Sequence, residues 1–191
     1  MILDYKENLE FALANGVSLD SNSEEARFEG KQRCDKITFK NFPHLCLDDA
    51  ICENCTFENC HEITIENSEV KNCTFVNIDN INGFCTDFND SNFSNSCSKG
   101  PFLTIDTQGC AYGCTFDNIT ALGDDGYVIY SVYGKKHDVE TISECKFINC
   151  VVESEDEEVC HCAYFKPFSS ISTITIDNID YDSCVFENTA E

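Results

Sequence analysis

Two acidic side chains set between glycines, Gly123-Asp124-Asp125-Gly126, are the first residues of this chain whose type and spacing suit chemistry. Paired carboxylates can divide the work of glycoside cleavage, one as general acid and the other as general base. The same pair between glycines is also ordinary turn chemistry, because Asp bonds its own backbone and Gly accepts left-handed φ. Cys160-His161-Cys162 and Cys52-x-x-Cys55 are the densest groups of soft metal ligands. A zinc site needs a partner pair at a matching spacing, and Cys160, His161 and Cys162 have none. The four histidines, His44, His61, His137 and His161, show no Ser or Cys partner arrangement for nucleophilic catalysis. The run Glu153-Ser-Glu155-Asp156-Glu157-Glu158 reads as a solvated loop and as a contact point for a cationic partner. No cofactor is expected.

What must position these groups is a repeat. An Ile, Cys or Ser, any residue, Phe, any residue and Asn recur as ITFKN at 37–41, CTFEN at 55–59, CTFVN at 73–77, SNFSN at 91–95, CTFDN at 114–118, CKFIN at 145–149 and CVFEN at 184–188. The Phe residues fall at 39, 57, 75 and 93, three intervals of 18, and then at intervals of 23, 31 and 39. Units this short cannot bury their own faces, so they stack as coils of a solenoid. Cys and Phe two residues apart point to one face of a strand. Stacking then puts Phe39, Phe57, Phe75, Phe93, Phe116, Phe147 and Phe186 in one internal column. A thiol column lies beside it. The Asn falls where the strand turns, where it tolerates left-handed φ and where stacked amides can bond one another.

Two further rows follow from the register. Cys34, Cys52, Val70, Phe88, Ala111, Ile142 and Tyr181 stand five before each Phe. Ile63-Thr-Ile65, Leu103-Thr-Ile105 and Ile174-Thr-Ile176 stand 10 or 11 before the next Phe and form a second strand type. The fold class expected is all-β: a single-stranded parallel β-helix over residues 34–191, of about seven coils. Residues 1–33 lack the phrase and are expected to form an N-terminal helical cap. Within them Asp4 to Asn15 has an amphipathic pattern, with Leu9, Phe11 and Leu13 available for burial.

These phrases resemble the Cys- and Phe-x-Asn-rich right-handed parallel β-helix of polymorphic membrane proteins and related adhesins. That resemblance implies a right-handed solenoid, and coils growing to 31 and 39 residues suit it because its turns accept long insertions. It also offers a surface adhesin or glycan-binding protein as a reading. Gly123-Asp124-Asp125-Gly126 ahead of Tyr127-Val128-Ile129-Tyr130 is similar to the Gly-Asp-Asp phrase of pectin-degrading β-helix hydrolases. It would make Asp124 and Asp125 their catalytic acids. The Asn-Thr-Asp, Gly-His-Gly and Arg-Ile-Lys phrases of those enzymes are absent, and Arg27 and Arg33 both precede the first repeat.

The charge is a second strong statement. The chain carries 35 Asp and Glu against 12 Lys and Arg, a net charge of −23. Residues 31–191 hold 28 Asp and Glu against 10 Lys and Arg, a net of −18. Along seven coils at ~4.8 Å that is one charge per ~1.9 Å, near the ~1.7 Å of duplex DNA. Such a rod repels nucleic acid and attracts basic protein surfaces, nucleic-acid-binding grooves above all. The expected function is a non-catalytic module docking a basic protein, in its sharpest form a nucleic-acid mimic. Asp124, Asp125, Glu153, Glu155, Asp156, Glu157 and Glu158 are the expected binding residues, on long loops at 119–141 and 151–173. No stretch approaches the ~20 apolar residues of a membrane span, and Met1-Ile-Leu-Asp-Tyr-Lys-Glu lacks the basic start of a signal peptide. The expected location is cytoplasmic, or extracellular if the chain is a fragment. Of the 15 cysteines, those before Phe interchange with Ile37 and Ser91, so free core thiols are expected rather than a disulfide framework.

Overall fold

The path of the chain is set by corner residues that accept left-handed φ. In one coil these are Asn54, Asn59 and Asn67, with φ of 55°, 55° and 50°, and Asn72 at 50° opens the next. Between them run three short strands, Thr56–Glu58, Glu62–Glu66 and Glu69–Lys71. Asn accepts this conformation at lower cost than other side chains. Corner amides donate to the following coil, as Asn54 N does to Lys71 O at 3.0 Å and Asn67 N to Phe84 O at 2.9 Å. The corner side chains form ladders of their own: Asn77 Nδ2 donates to Asn59 Oδ1 at 2.8 Å and Asn118 Nδ2 to Asn95 Oδ1 at 2.9 Å.

The computed structural model describes residues 1–15, 17–19, 25–29, 33–106, 109–123, 126–132, 139–154, 163–166 and 173–188. They form a parallel β-solenoid of three sheets with ten, eight and seven strands. The sheet of seven, from Arg33–Asp35 to Thr173–Asp177, takes one strand from each coil. The first sheet holds the Phe strands and the second the five-residue strands such as Glu62–Glu66. Among the described residues the one antiparallel pairing is Val17–Leu19 with Glu25–Glu29.

Inside, the aromatic column forms as expected through six of its members. Phe39, Phe57, Phe75, Phe93, Phe116 and Phe147 are fully buried, and Phe57 and Phe75 stack at 4.5 Å between ring centroids. The last phrase departs from expectation. Tyr181 pairs with Phe147 and stacks on it at 5.4 Å, while Phe186 pairs with Val152. The cause lies in the upper coils, where the first sheet's strands run on past their Asn, as in Asn92–Lys99 and Thr115–Leu122. Val151–Ser154 and Val185–Asn188 continue that extension, and CVFEN belongs to it. The row expected to end in Tyr181 takes Ile176 instead, opposite Ile142. Likewise Ile63 and Ile65 share the second sheet with Leu103 and Ile105, whereas Ile174 and Ile176 lie in the third. Two strands of one pattern thus serve different sheets.

The N-terminal segment is more than a helical cap. The helix is short, Leu9–Ala14, and it buries Ala12 while Leu13 stays 41% exposed and Leu9 half-buried. Around it, Ile2–Asp4 and Glu25–Glu29 pair in parallel with the first and second sheets, so residues before 34 build part of the solenoid. Asp4 fixes the entry: its carboxylate accepts the backbone N–H groups of Lys6 and Glu7 and the Asn41 amide. Burial pushes this carboxyl up, but the Asn41 amide and the two backbone donors outweigh burial and hold it below the usual range.

One coil departs from the volume pattern and compensates within itself. The interior row Leu47, Ile65, Gly83, Ile105 loses its side chain at Gly83, where the row Cys52, Val70, Phe88, Ala111 swells to Phe. A Cβ on Gly83 would lie 2.9 Å from the Phe88 ring. Gly83→Ile therefore overpacks the coil, at about 1–3 kcal/mol. Phe88→Val leaves a void costing about 2–3 kcal/mol. The double variant reproduces the Ile65/Val70 coil and should recover most of both losses. Urea unfolding of the four proteins checks this, and strictly additive losses would refute the packing account.

Candidate functional site

Most of the residues expected to do chemistry lie outside the described residues: Asp124, Asp125, Glu155, Asp156, Glu157, Glu158, Cys160, His161, Cys162 and His137. Gly123 and Gly126, flanking the paired Asp, are joined by a hydrogen bond of 3.0 Å from Gly126 N to Gly123 O. Glu153 is described. It lies half-buried in the strand Val151–Ser154, opposite Glu187. The stretches expected as long loops contain strands, Ile129–Val132 and Val139–Ser143 in the first and Ala163–Lys166 in the second. These strands pair into the second and third sheets.

The thiols occupy structural positions. Cys52 and Cys55 are buried on two different interior rows. Cys73 Sγ, just after the Asn72 corner, donates to Cys52 O at 3.4 Å and Lys71 O at 3.3 Å. Ser91 and Thr86 do the same with hydroxyls, Thr86 Oγ1 reaching Ile65 O at 2.9 Å and Phe84 O at 3.0 Å. Cys at a corner is thus a weak donor to turn carbonyls as well as an apolar filler, which explains why Ser replaces it. Bonding to Cys34 and Cys55, together with burial, pushes the Cys52 thiol far up. Burial raises Cys60 to about 11 and Cys110 to about 12. Among the described residues no group of three or more His, Cys, Asp or Glu could hold a metal ion, and the 13 described cysteines are not joined to one another by disulfides.

Sequence reasoning missed a row across three coils. His44 Nε2 lies 3.1 Å from Thr64 Oγ1, and His44 Nδ1 lies 3.7 Å from the Glu25 carboxylate. Hydroxyl, imidazole, carboxylate is the order of a nucleophile relay. Here Glu25 is also held by Arg27, so the row is a cross-strand ladder on the second sheet. Only the coil register could have found it, because nothing local in the sequence brings 25, 44 and 64 together.

Charge is arranged by the same register. Several cations of the described face are already engaged: Arg33 with Glu53 at 2.5 Å, Lys40 with Glu58 at 3.1 Å and Lys146 with Asp180 at 3.7 Å. The corner between the second and third sheets is different. Its outward rows read Asp48, Glu66, Phe84, Asp106 and Arg33, Ile51, Glu69, Asp87, Cys110. Asp49, Glu66 and Glu69 have no Lys, Arg or His within 4.0 Å among the described residues. A groove of 480 Å³ runs along this corner, lined by Asp49, Ala50, Ile51, Ser68, Glu69 and Cys85 among others. A smaller polar groove of 280 Å³ includes Lys6, Asn59, His61 and Asp79.

No family model matches the chain, and neither a curated protein nor a solved structure matches it. Among the described residues, no helix is long and apolar enough to cross a membrane.

The thiol geometry gives a pH dependence. The Cys60 thiol ionises at 9.0 in its unperturbed state and at about 11 in the folded chain, so folding retains a proton that the unfolded chain releases. Its contribution is complete below pH 9 and is lost as pH rises toward 11. Cys60→Ile, which copies Ile78 one coil on, should remove roughly 2 kcal/mol of that alkaline loss in urea unfolding at pH 7 and pH 11. Thiol titration in denaturant without reductant should count all 15 cysteines. Finding most of them bonded would overturn the free-thiol account.

Proposed function

We propose that this chain is a non-catalytic interaction module, an acidic β-solenoid that docks a basic protein surface. The observation that carries the reading is the net charge of −23 laid along a stacked rod. Its carboxylates repeat in outward rows at the coil spacing of ~4.8 Å. A row of regularly spaced anions on a stiff scaffold suits a cationic groove, and a nucleic-acid-mimicking inhibitor is the sharpest form of this function. The buried free thiols fit a reducing, cytoplasmic setting. Similarity of the Cys-x-Phe-x-Asn phrases to adhesin repeats favours a second reading, a surface adhesin that binds glycans.

Capture from a source lysate at low and high salt tests this. Salt-sensitive retention of nucleic-acid-binding proteins is the expected result, and glycan capture unaffected by salt would favour adhesion. Release of reducing sugar from polygalacturonate, abolished by Asp124→Asn, would establish a hydrolase and end the non-catalytic reading.

A further inference from the structure

We propose that the groove between the second and third sheets docks a basic protein segment carrying an apolar side chain between its Lys or Arg residues. This rests on the acidic-module reading and gives it a location. Two outward rows bearing carboxylates run along this corner, Asp48, Glu66, Phe84 and Asp106 in one and Arg33, Ile51, Glu69, Asp87 and Cys110 in the other, and each exposes one large apolar residue. Phe84 stands in register with Glu66 and Asp106, and Ile51 in register with Glu69. Phe84 is 37% exposed, Ile51 43% exposed, and Cys85 between the rows is exposed as well.

The strands do not need these residues to be apolar, since neighbouring coils place charged side chains at the same register, Glu66 and Asp106 beside Phe84 and Arg33 and Glu69 beside Ile51. Solubility favours the carboxylates too. Ile51, Ala50 and Cys85 line the groove beside Asp49 and Glu69, with the exposed Phe84 next to Cys85, and 480 Å³ accommodates a side chain of Leu or Met size with its flanks. Asp49, Glu66 and Glu69 bear no cation within 4.0 Å among the described residues, so they are available to Lys or Arg on either side of that side chain. Arg33, opposite Ile51 across the strand pair, is already held by Glu53. A second copy of this chain is a poor occupant because it brings −23 of the same sign.

The probe is the capped peptide Lys-Lys-Leu-Lys-Lys, titrated into the full chain by fluorescence anisotropy, with Lys-Lys-Ser-Lys-Lys as its control. Loss of the Leu contact should weaken binding about tenfold. Ile51→Thr should weaken the Leu peptide several-fold and leave the Ser peptide unchanged, while Glu69→Lys weakens both. Thermal unfolding by circular dichroism checks that both variants keep the parent midpoint. Iodoacetamide labelling read by mass spectrometry supplies the location. Bound Leu peptide should protect Cys85 and leave Cys97, exposed on the first sheet, reactive. Equal binding of the two peptides, or binding without protection of Cys85, overturns the groove while leaving the acidic module standing. Binding of neither peptide, together with no salt-sensitive capture of a basic protein, sinks both. A concentration-dependent dimer abolished by Ile51→Thr would give the groove to a second copy and overturn the proposal.

Discussion

Closure of every coil onto the one before it is the constraint on which the rest depends. Each backbone N–H along a coil must find a carbonyl in its neighbour, and an unpaired buried group costs about 1–3 kcal/mol. The three-cornered path meets that demand only if the corners repeat at the same places. Left-handed residues at 54, 59, 67 and 72 supply that repetition. Given closure, the aromatic rings have no choice but to stack at the strand spacing, and the offset parallel arrangement at 4.5–5.4 Å is favourable for them. The stack is a result of closure that then reinforces it.

The fold was legible because its signals are periodic. Phe at intervals of 18 with Asn two residues on gives the strand, its inward face and its corner in one phrase. What escaped was whatever depended on phase between coils of unequal length. Phe186 carries the phrase but not the column, since Tyr181 with Ser183 at φ 57° and Cys184 after it already fills the column and its corner. Corners made by Lys36, Cys85 and Glu144 were also unreadable, because those side chains have no turn preference of their own and are held there by neighbouring coils. The donor role of the corner thiols was hidden by Ile37, which fits the same space without any hydrogen bond.

The candidate site was far less legible than the fold. Motif reading drew attention to compact groups such as Asp124-Asp125 and Cys160-His161-Cys162, yet the described surface gathers residues one coil apart. Ile51, Glu69 and Cys85 meet along one corner though 18 and 16 positions separate them. In a solenoid the neighbours that matter chemically are those at the coil period, and that period becomes irregular after Phe93. Composition gives the excess of carboxylates, but only register shows where apolar residues stand among them, as Phe84 does between Glu66 and Asp106.

The Gly83 and Phe88 exchange bears on how such a chain changes length. The two residues that fit one another lie five apart, inside a single coil, and the interfaces above and below return to the common pattern of Ile65 and Ile105. A coil therefore carries its own volume correction with it. Duplication or loss of an 18-residue block moves both partners together and leaves equivalent surfaces to rejoin. Whole coils can be gained or lost in one step without an intermediate sequence that fails to pack, while changes of a few residues must be absorbed beyond a corner, as in the extended strands after Asn95 and Asn118.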